Sequence, residues 1–158
     1  VENPGRVYYG RLPGFALATE GREQAAAAGR YLAGEDVAAI YHSPMERAAE
    51  TATIVSAALP RPVSLTACAL LNEIHSADDG RKVDEMKALD WNFYRAVAPP
   101  YEGPADVLAR IVEFFAFVRK NHPGQHVVGV SHADPIAFAV MCGCGRPRSA
   151  DGRKRLEG

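Results

Sequence analysis

Residues 127–136 read VVGVSHADPI. Val127, Val128, Gly129 and Val130 form an apolar run without polar alternation, the pattern of a strand covered on both faces. The run stops at Ser131-His132, and Pro135 opens a second apolar stretch that reads as a short buried helix to Cys142. A buried strand ending in a histidine puts a titratable ring where open α/β sheets hold ligands, beyond the carboxyl ends of their strands.

Working outward, VAAIYH (37–42) is a second apolar run of strand length. It feeds SPMERAAETATIVSAAL (43–59), where Ser43 reads as an N-cap and Pro44 as the first helical residue. Residues 20–33 are Ala-rich and helix-forming, with Thr19 in N-cap position. RPVSL (61–65) reads as a strand, and residues 84–97 as an irregular helix. Gly103-Pro104 introduces an amphipathic helix in which Val107, Leu108, Ile111, Val112, Phe115 and Val118 recur at helical spacing. Asn121-His122-Pro123-Gly124 ends it, and HVVGVS (126–131) is the strand already described. Strands alternating with helices predict an α/β fold, a three-layer α/β/α arrangement around a mainly parallel sheet. Two strand ends carry chemistry: His42-Ser43-Pro44, leading to Arg47, and Ser131-His132. The question is whether they meet.

A length of 158 residues fits one domain, and 47% hydrophobic residues suffice for a core. With 23% charged residues and a net charge of -1, the composition gives no electrostatic case for nucleic acid or a membrane surface. The one basic cluster, Arg146, Arg148, Arg153, Lys154 and Arg155, is mixed with Gly and Asp and reads as a solvated tail. No apolar run reaches the ~18 residues of a membrane span. Cys68, Cys142 and Cys144 form neither a disulfide framework nor a zinc pair, so a reducing, cytoplasmic setting and no metal are expected.

Four segments hold the candidate chemistry. Arg47 falls in the first turn of its helix, where free N–H groups and the helix dipole already favour an anion, and a guanidinium can grip phosphate with two bonds. The same position suits a surface arginine. Thr51, one turn on, faces the same way or satisfies a backbone carbonyl. His132 fits a nucleophile, a proton carrier or a phosphate ligand, and equally a hydrogen-bonded strand end. Asp134 reads as a cap for the following helix. Glu73, in LLNEIHS, sits between apolar neighbours that would raise its pKa and suit it to acid catalysis; a loop carboxylate reads the same way. The opening VENPGRVYYGRLPGF (1–15) has no period, and Asn3, Tyr9 and Arg11 make it a donor-rich loop.

Each signal is weak alone, but their order is informative. ENPGRVYYGRLPGFALATEGREQA, AIYHSPMERAAETA, LLNEIHS and VVGVSHADPI, in that order, span nearly the whole chain. Together they resemble the histidine phosphatase superfamily, the phosphoglycerate mutase-like fold. The resemblance implies that Arg47 grips a phosphoryl group, that Glu73 is the proton donor and that His132 is the second phosphate-pocket histidine. It implies a phosphate-facing backbone N–H at Ala133, where many members have Gly, and a phosphate-binding amide at Asn3. Tyr9, Arg11, Trp91 and Tyr94 are candidates for the cleft wall. No metal or other cofactor is implied.

The family's first strand ends in Arg-His-Gly or Arg-His-Ala, and that histidine is the nucleophile. No such pair occurs upstream of Asn3. Tyr8-Tyr9-Gly10 is not its remnant, because GRLPGF already matches the loop downstream of the motif and residues 1–6 hold no apolar strand. The chain therefore reads as a single domain over 1–158 truncated at both ends, with the nucleophilic histidine expected upstream of Val1 and this piece expected to be inactive alone. The short stretch from Glu73 to Pro104 favours a small phosphatase acting on phosphorylated metabolites, such as sugar phosphates or a cobalamin-pathway ester. The alternatives are a mutase of the phosphoglycerate type and a catalytically inactive phosphate-binding or interaction module. A nucleotide-binding domain would need a G-x-x-x-x-G-K-[ST] loop, which the sequence lacks.

Overall fold

The two strand ends singled out in the sequence lie side by side. In the computed structural model, which describes residues 1–95 and 97–143, β1 (Val37–His42) is the central strand of a three-stranded sheet. It pairs in parallel with β2 (Ser64–Ala67) on one side and with β3 (His126–Val130) on the other. The register sets His42 opposite Val130, so Ser43 and Ser131 leave the sheet together. Among the described residues β3 is an edge strand, with no partner beyond it.

The helices are α1 (Thr19–Leu32), α2 (Glu46–Ala57), α3 (Val83–Ala88), α4 (Pro104–Asn121) and α5 (Ala133–Gly143), with a 3-10 turn at Ala69–Leu71. The strands' alternation sorts their side chains between two layers. Ile40, Val128 and Val130 pack with Ala52 and Val55 of α2. Tyr41 packs on the opposite face with Leu71, Ile111 and Phe114, the last two from α4. Gly129, the partner of Tyr41 in the register, lets the Phe114 ring approach to 3.3 Å of where a Cβ would stand. With α1 packed on α2 and α5 on α4, the result is an α/β/α arrangement around an all-parallel sheet. Gly29 of α1 makes the first of these contacts possible, since a Cβ there would come within 2.8 Å of Ala58 and 3.1 Å of the Val55 backbone.

Several sequence expectations shift. α1 begins at Thr19 itself, with Ala18 as N-cap and no side-chain cap. Ser43 and Pro44 do not start α2, which is capped at Met45. Ser43, fully buried, instead accepts the Met45 N–H at 3.3 Å and donates to Asn72 Oδ1 at 3.0 Å, so it braces the junction rather than capping the helix. β2 starts at Ser64 rather than residue 61, and the helix expected over 84–97 is confined to Val83–Ala88. α5 begins at Ala133, so Asp134 lies inside its first turn and is not its cap. That helix is not wholly buried either, since Ile136 and Val140 are exposed. Cys144 and the basic cluster from Arg146 to Arg155 lie outside the described residues. Among the described residues, no helix is long and apolar enough to cross a membrane.

Candidate active site

Four hydrogen bonds fix the segment carrying Glu73 beneath the strand ends. Ser131 Oγ donates to the Leu71 carbonyl at 2.7 Å, and Ser43 holds the Asn72 side chain. Arg11 Nε and an Arg110 terminal nitrogen donate to the Glu73 carbonyl oxygen, at 2.7 and 3.3 Å. Glu102 joins the two arginines, accepting from Arg11 at 2.7 Å and from Arg110 Nε at 2.8 Å. The residues following β1 and β3 thus clamp a loop that is distant from both in sequence.

A cavity of about 250 Å³ opens at this junction, and Arg47, Glu73 and His132 all line it, together with Tyr9, Thr51 and Ala133. Arg47 reaches it from the first turn of α2 and is 7% exposed. A terminal nitrogen of Arg47 donates to the Gly10 carbonyl at 2.8 Å, and the guanidinium carbon stands 4.8 Å from the Tyr9 ring centre. Gly10 has a φ of +38°, and a Cβ there would collide with the Asp79 carboxyl, so the carbonyl that orients Arg47 depends on glycine. Thr51 donates its hydroxyl to the Arg47 carbonyl, satisfying the helix backbone.

Glu73 is buried, and burial is the main reason its pKa rises to about 7. The Ile74 N–H, donated to Oε1 at 2.9 Å, opposes that rise, the Asp134 carboxyl adds to it, and Arg47 and Arg110 oppose it. At neutral pH the group is thus poised between acid and base. His132 is displaced the other way, to about 3, by burial first and then by Arg47, Arg110 and Arg11. Its Nε2 is buried without a hydrogen-bond partner among the described residues. The ring is therefore a neutral hydrogen-bonding group at neutral pH. In a ¹⁵N-detected titration we expect no His132 protonation above pH 5; a midpoint near the ordinary histidine value would show that the ring is solvated, not enclosed.

The remaining sequence candidates divide. Tyr9 and Ala133 line the cavity. Arg11 does not: its guanidinium is committed to Glu102 and the Glu73 backbone, so it braces the loop. Asn3 is not brought to the 250 Å³ cavity either. Its amide donates to the Val7 carbonyl at 2.8 Å and accepts the Val7 N–H at 3.1 Å, closing a turn. Asn3 lines a neighbouring cavity of about 420 Å³, as does Trp91. Tyr94 donates its hydroxyl to Asp134 Oδ2 at 2.8 Å. Glu102 and Arg110 were not singled out in the sequence. Nothing in PPYEGP or in the polar face of α4 marks them, because their role depends on meeting across the fold. Among the described residues no three His, Cys, Asp or Glu side chains are grouped to hold a metal ion.

A cationic guanidinium, a protonatable carboxyl and a neutral imidazole line one small cavity at the ends of parallel strands, an arrangement chemically suited to an anion in an α/β protein. The profile of the histidine phosphatase superfamily (branch 1) matches residues 2–155, and the chain belongs to that family. It is 32% identical over 160 residues to the uncharacterized protein Rv0525 of Mycobacterium tuberculosis, covering 98% of this chain and 79% of that protein. It is 32% identical over 148 residues to phosphoserine phosphatase 1 of Hydrogenobacter thermophilus, covering 89% of this chain and 69% of that one. The solved structure of Bacillus stearothermophilus YhfR superposes with a TM-score of 0.78 at 28% identity, covering 92% of this chain and 75% of that chain.

Proposed function

We propose that the chain supplies the phosphate pocket and the proton donor of a phosphomonoesterase working through a phosphohistidine. The observation that carries this reading is the meeting of Arg47, Glu73 and His132 on one cavity, with Glu73 poised near neutrality. Arg47 and His132 hold the non-bridging oxygens and stabilise the charge that spreads over them. The N-terminus of α5 at Ala133 offers backbone N–H groups to the same anion. A histidine nitrogen attacks phosphorus, forming the P–N bond as the ester P–O bond breaks, and Glu73 gives its proton to the leaving oxygen. Glu73, now a carboxylate, takes a proton from water. The water oxygen bonds to phosphorus, the P–N bond breaks and phosphate leaves. The chain requires no metal or other cofactor for either step.

In this reading the attacking histidine is not one of the five in residues 1–158, because His132 alone of them lines the cavity and it serves there as a phosphate ligand. His132 is the rival nucleophile. Hydrolysis rather than mutase-type transfer is favoured by kinship with a protein named as a phosphatase. Residues 1–158 alone are expected to show no turnover of a phosphomonoester. A protein that also supplies the attacking histidine is expected to trap an acid-labile, base-stable ³²P label. Turnover by residues 1–158 that His132→Ala abolishes would make His132 the nucleophile and overturn that assignment.

A further inference from the structure

The 420 Å³ cavity shares three of its lining residues, Tyr9, Glu73 and Ala133, with the phosphoryl cavity. Glu73 therefore stands at the boundary between them. In the reaction proposed above, the atom beside Glu73 is the ester oxygen, so the larger cavity lies where the departing alcohol must be. Its walls are mostly rings and branched aliphatic groups: Tyr8, Tyr9, Trp91 and Phe93, with Val7 and Val83. Tyr8 and Phe93 are held ring against ring at 4.5 Å, and Trp91 leans on Phe93 at 6.2 Å. Glu73 and Asp134 are the acidic residues that line it, and among the described residues no Lys, Arg or His does.

We propose that this cavity selects esters of uncharged, apolar alcohols, aromatic ones above all, and disfavours esters whose alcohol bears a carboxylate. The proposal rests on the phosphomonoesterase reading. A carboxylate entering here would exchange water for ring faces and two acidic neighbours, with no cation among the described lining residues to replace its hydration. An aryl or alkyl group instead gains from leaving water, at ~25 cal/mol per Å² buried, and an aromatic one also gains from ring-to-ring contact. For a cationic alcohol Glu73 and Asp134 attract, whereas the Arg47 guanidinium on the Tyr9 face and the loss of the cation's hydration oppose, and phosphocholine in the test below weighs the two.

Trp91 is the only tryptophan of the chain, so its fluorescence reports on this cavity alone. The test titrates the 158-residue chain with phenyl phosphate, 3-phosphoglycerate, phosphocholine and inorganic phosphate. Binding is followed by calorimetry, and emission is recorded in parallel. Phenyl phosphate is expected to shift Trp91 emission and to bind at least tenfold more tightly than 3-phosphoglycerate or phosphocholine. Inorganic phosphate is expected to bind without that shift. Val83→Lys, which puts a cation into the wall, is expected to reverse the preference towards 3-phosphoglycerate. Phe93→Ala is expected to weaken phenyl phosphate and to leave inorganic phosphate unchanged. If inorganic phosphate binds and 3-phosphoglycerate or phosphocholine matches phenyl phosphate, the apolar assignment falls and the phosphatase reading stands. If none of the four binds and Arg47→Ala changes nothing, the phosphate pocket itself is refuted and the proposal falls with it.

Discussion

Between pH 4 and pH 8, the stability advantage of a Glu73→Gln variant over the unsubstituted chain grows by about 3 kcal/mol. The sign follows from the direction of the displacement. The folded state holds the Glu73 proton up to about pH 7, whereas the unfolded chain releases it near 4.5. Below 4.5 both states are protonated and the group contributes nothing to the pH dependence. Between 4.5 and 7 the unfolded state binds fewer protons than the folded one, so stability falls as pH rises. Above 7 the whole cost of a buried charge is present, and the interval from 4.5 to about 7 converts to about 3 kcal/mol. Gln keeps an oxygen for the Ile74 N–H and cannot ionise. Any fixed cost of the amide cancels in the difference between the two pH values. Denaturant unfolding of both proteins at pH 4 and pH 8 measures it. A difference that stays constant with pH would mean that Glu73 is solvated and ionises normally. In an active protein the same group should impose an alkaline limb near pH 7 on kcat/KM, because departure of the alcohol needs the protonated acid. Glu73→Gln should remove that limb along with most of the activity.

Arg47→Ala should cost an active protein 100- to 1000-fold in kcat/KM, about 2.7–4 kcal/mol of transition-state stabilisation if its loss resembles removal of one oxyanion donor. The guanidinium is aimed at the cavity by the Gly10 carbonyl and the Tyr9 ring, so the geometry is set before any ligand arrives. The substitution also leaves the Gly10 carbonyl without that donor. Arg47→Lys is the control, since it keeps the charge and loses the planar fork, and it should fall between the two. Unfolding curves for all three separate a folding defect from a catalytic one. A loss below threefold in the alanine variant, with folding intact, would exclude Arg47 from phosphoryl binding.

The elements were legible wherever burial and chain period agree. Val37–His42 and the amphipathic run from Val107 to Val118 are read directly, because a centrally placed strand and a half-buried helix each print their environment on the sequence. β2 was harder to bound, as it is an exposed edge strand whose positions no core constrains. Ser43 and Pro44 carry the local signature of a helix start, yet α2 begins at Glu46, because tertiary bonding to Asn72 uses the serine differently. The stretch 84–97 breaks off after Ala88 because Asp90 and Trp91 take positive φ, which side-chain pattern does not announce.

For the site, the chain alone determined which residue types stand at the two strand ends and in the loop between them: Arg47, Glu73 and His132. Local order is written in contiguous residues, so it can be read without knowing where the chain turns. Only the tertiary structure decided that the three share a cavity, that Arg11 turns away to brace Glu73 with Arg110 and Glu102, and that Asn3 closes a turn at Val7. It also decided the protonation of the site. Burial and the field of neighbours far apart in sequence push Glu73 up and His132 down, and desolvation is a property of the packed molecule, never of one stretch of chain.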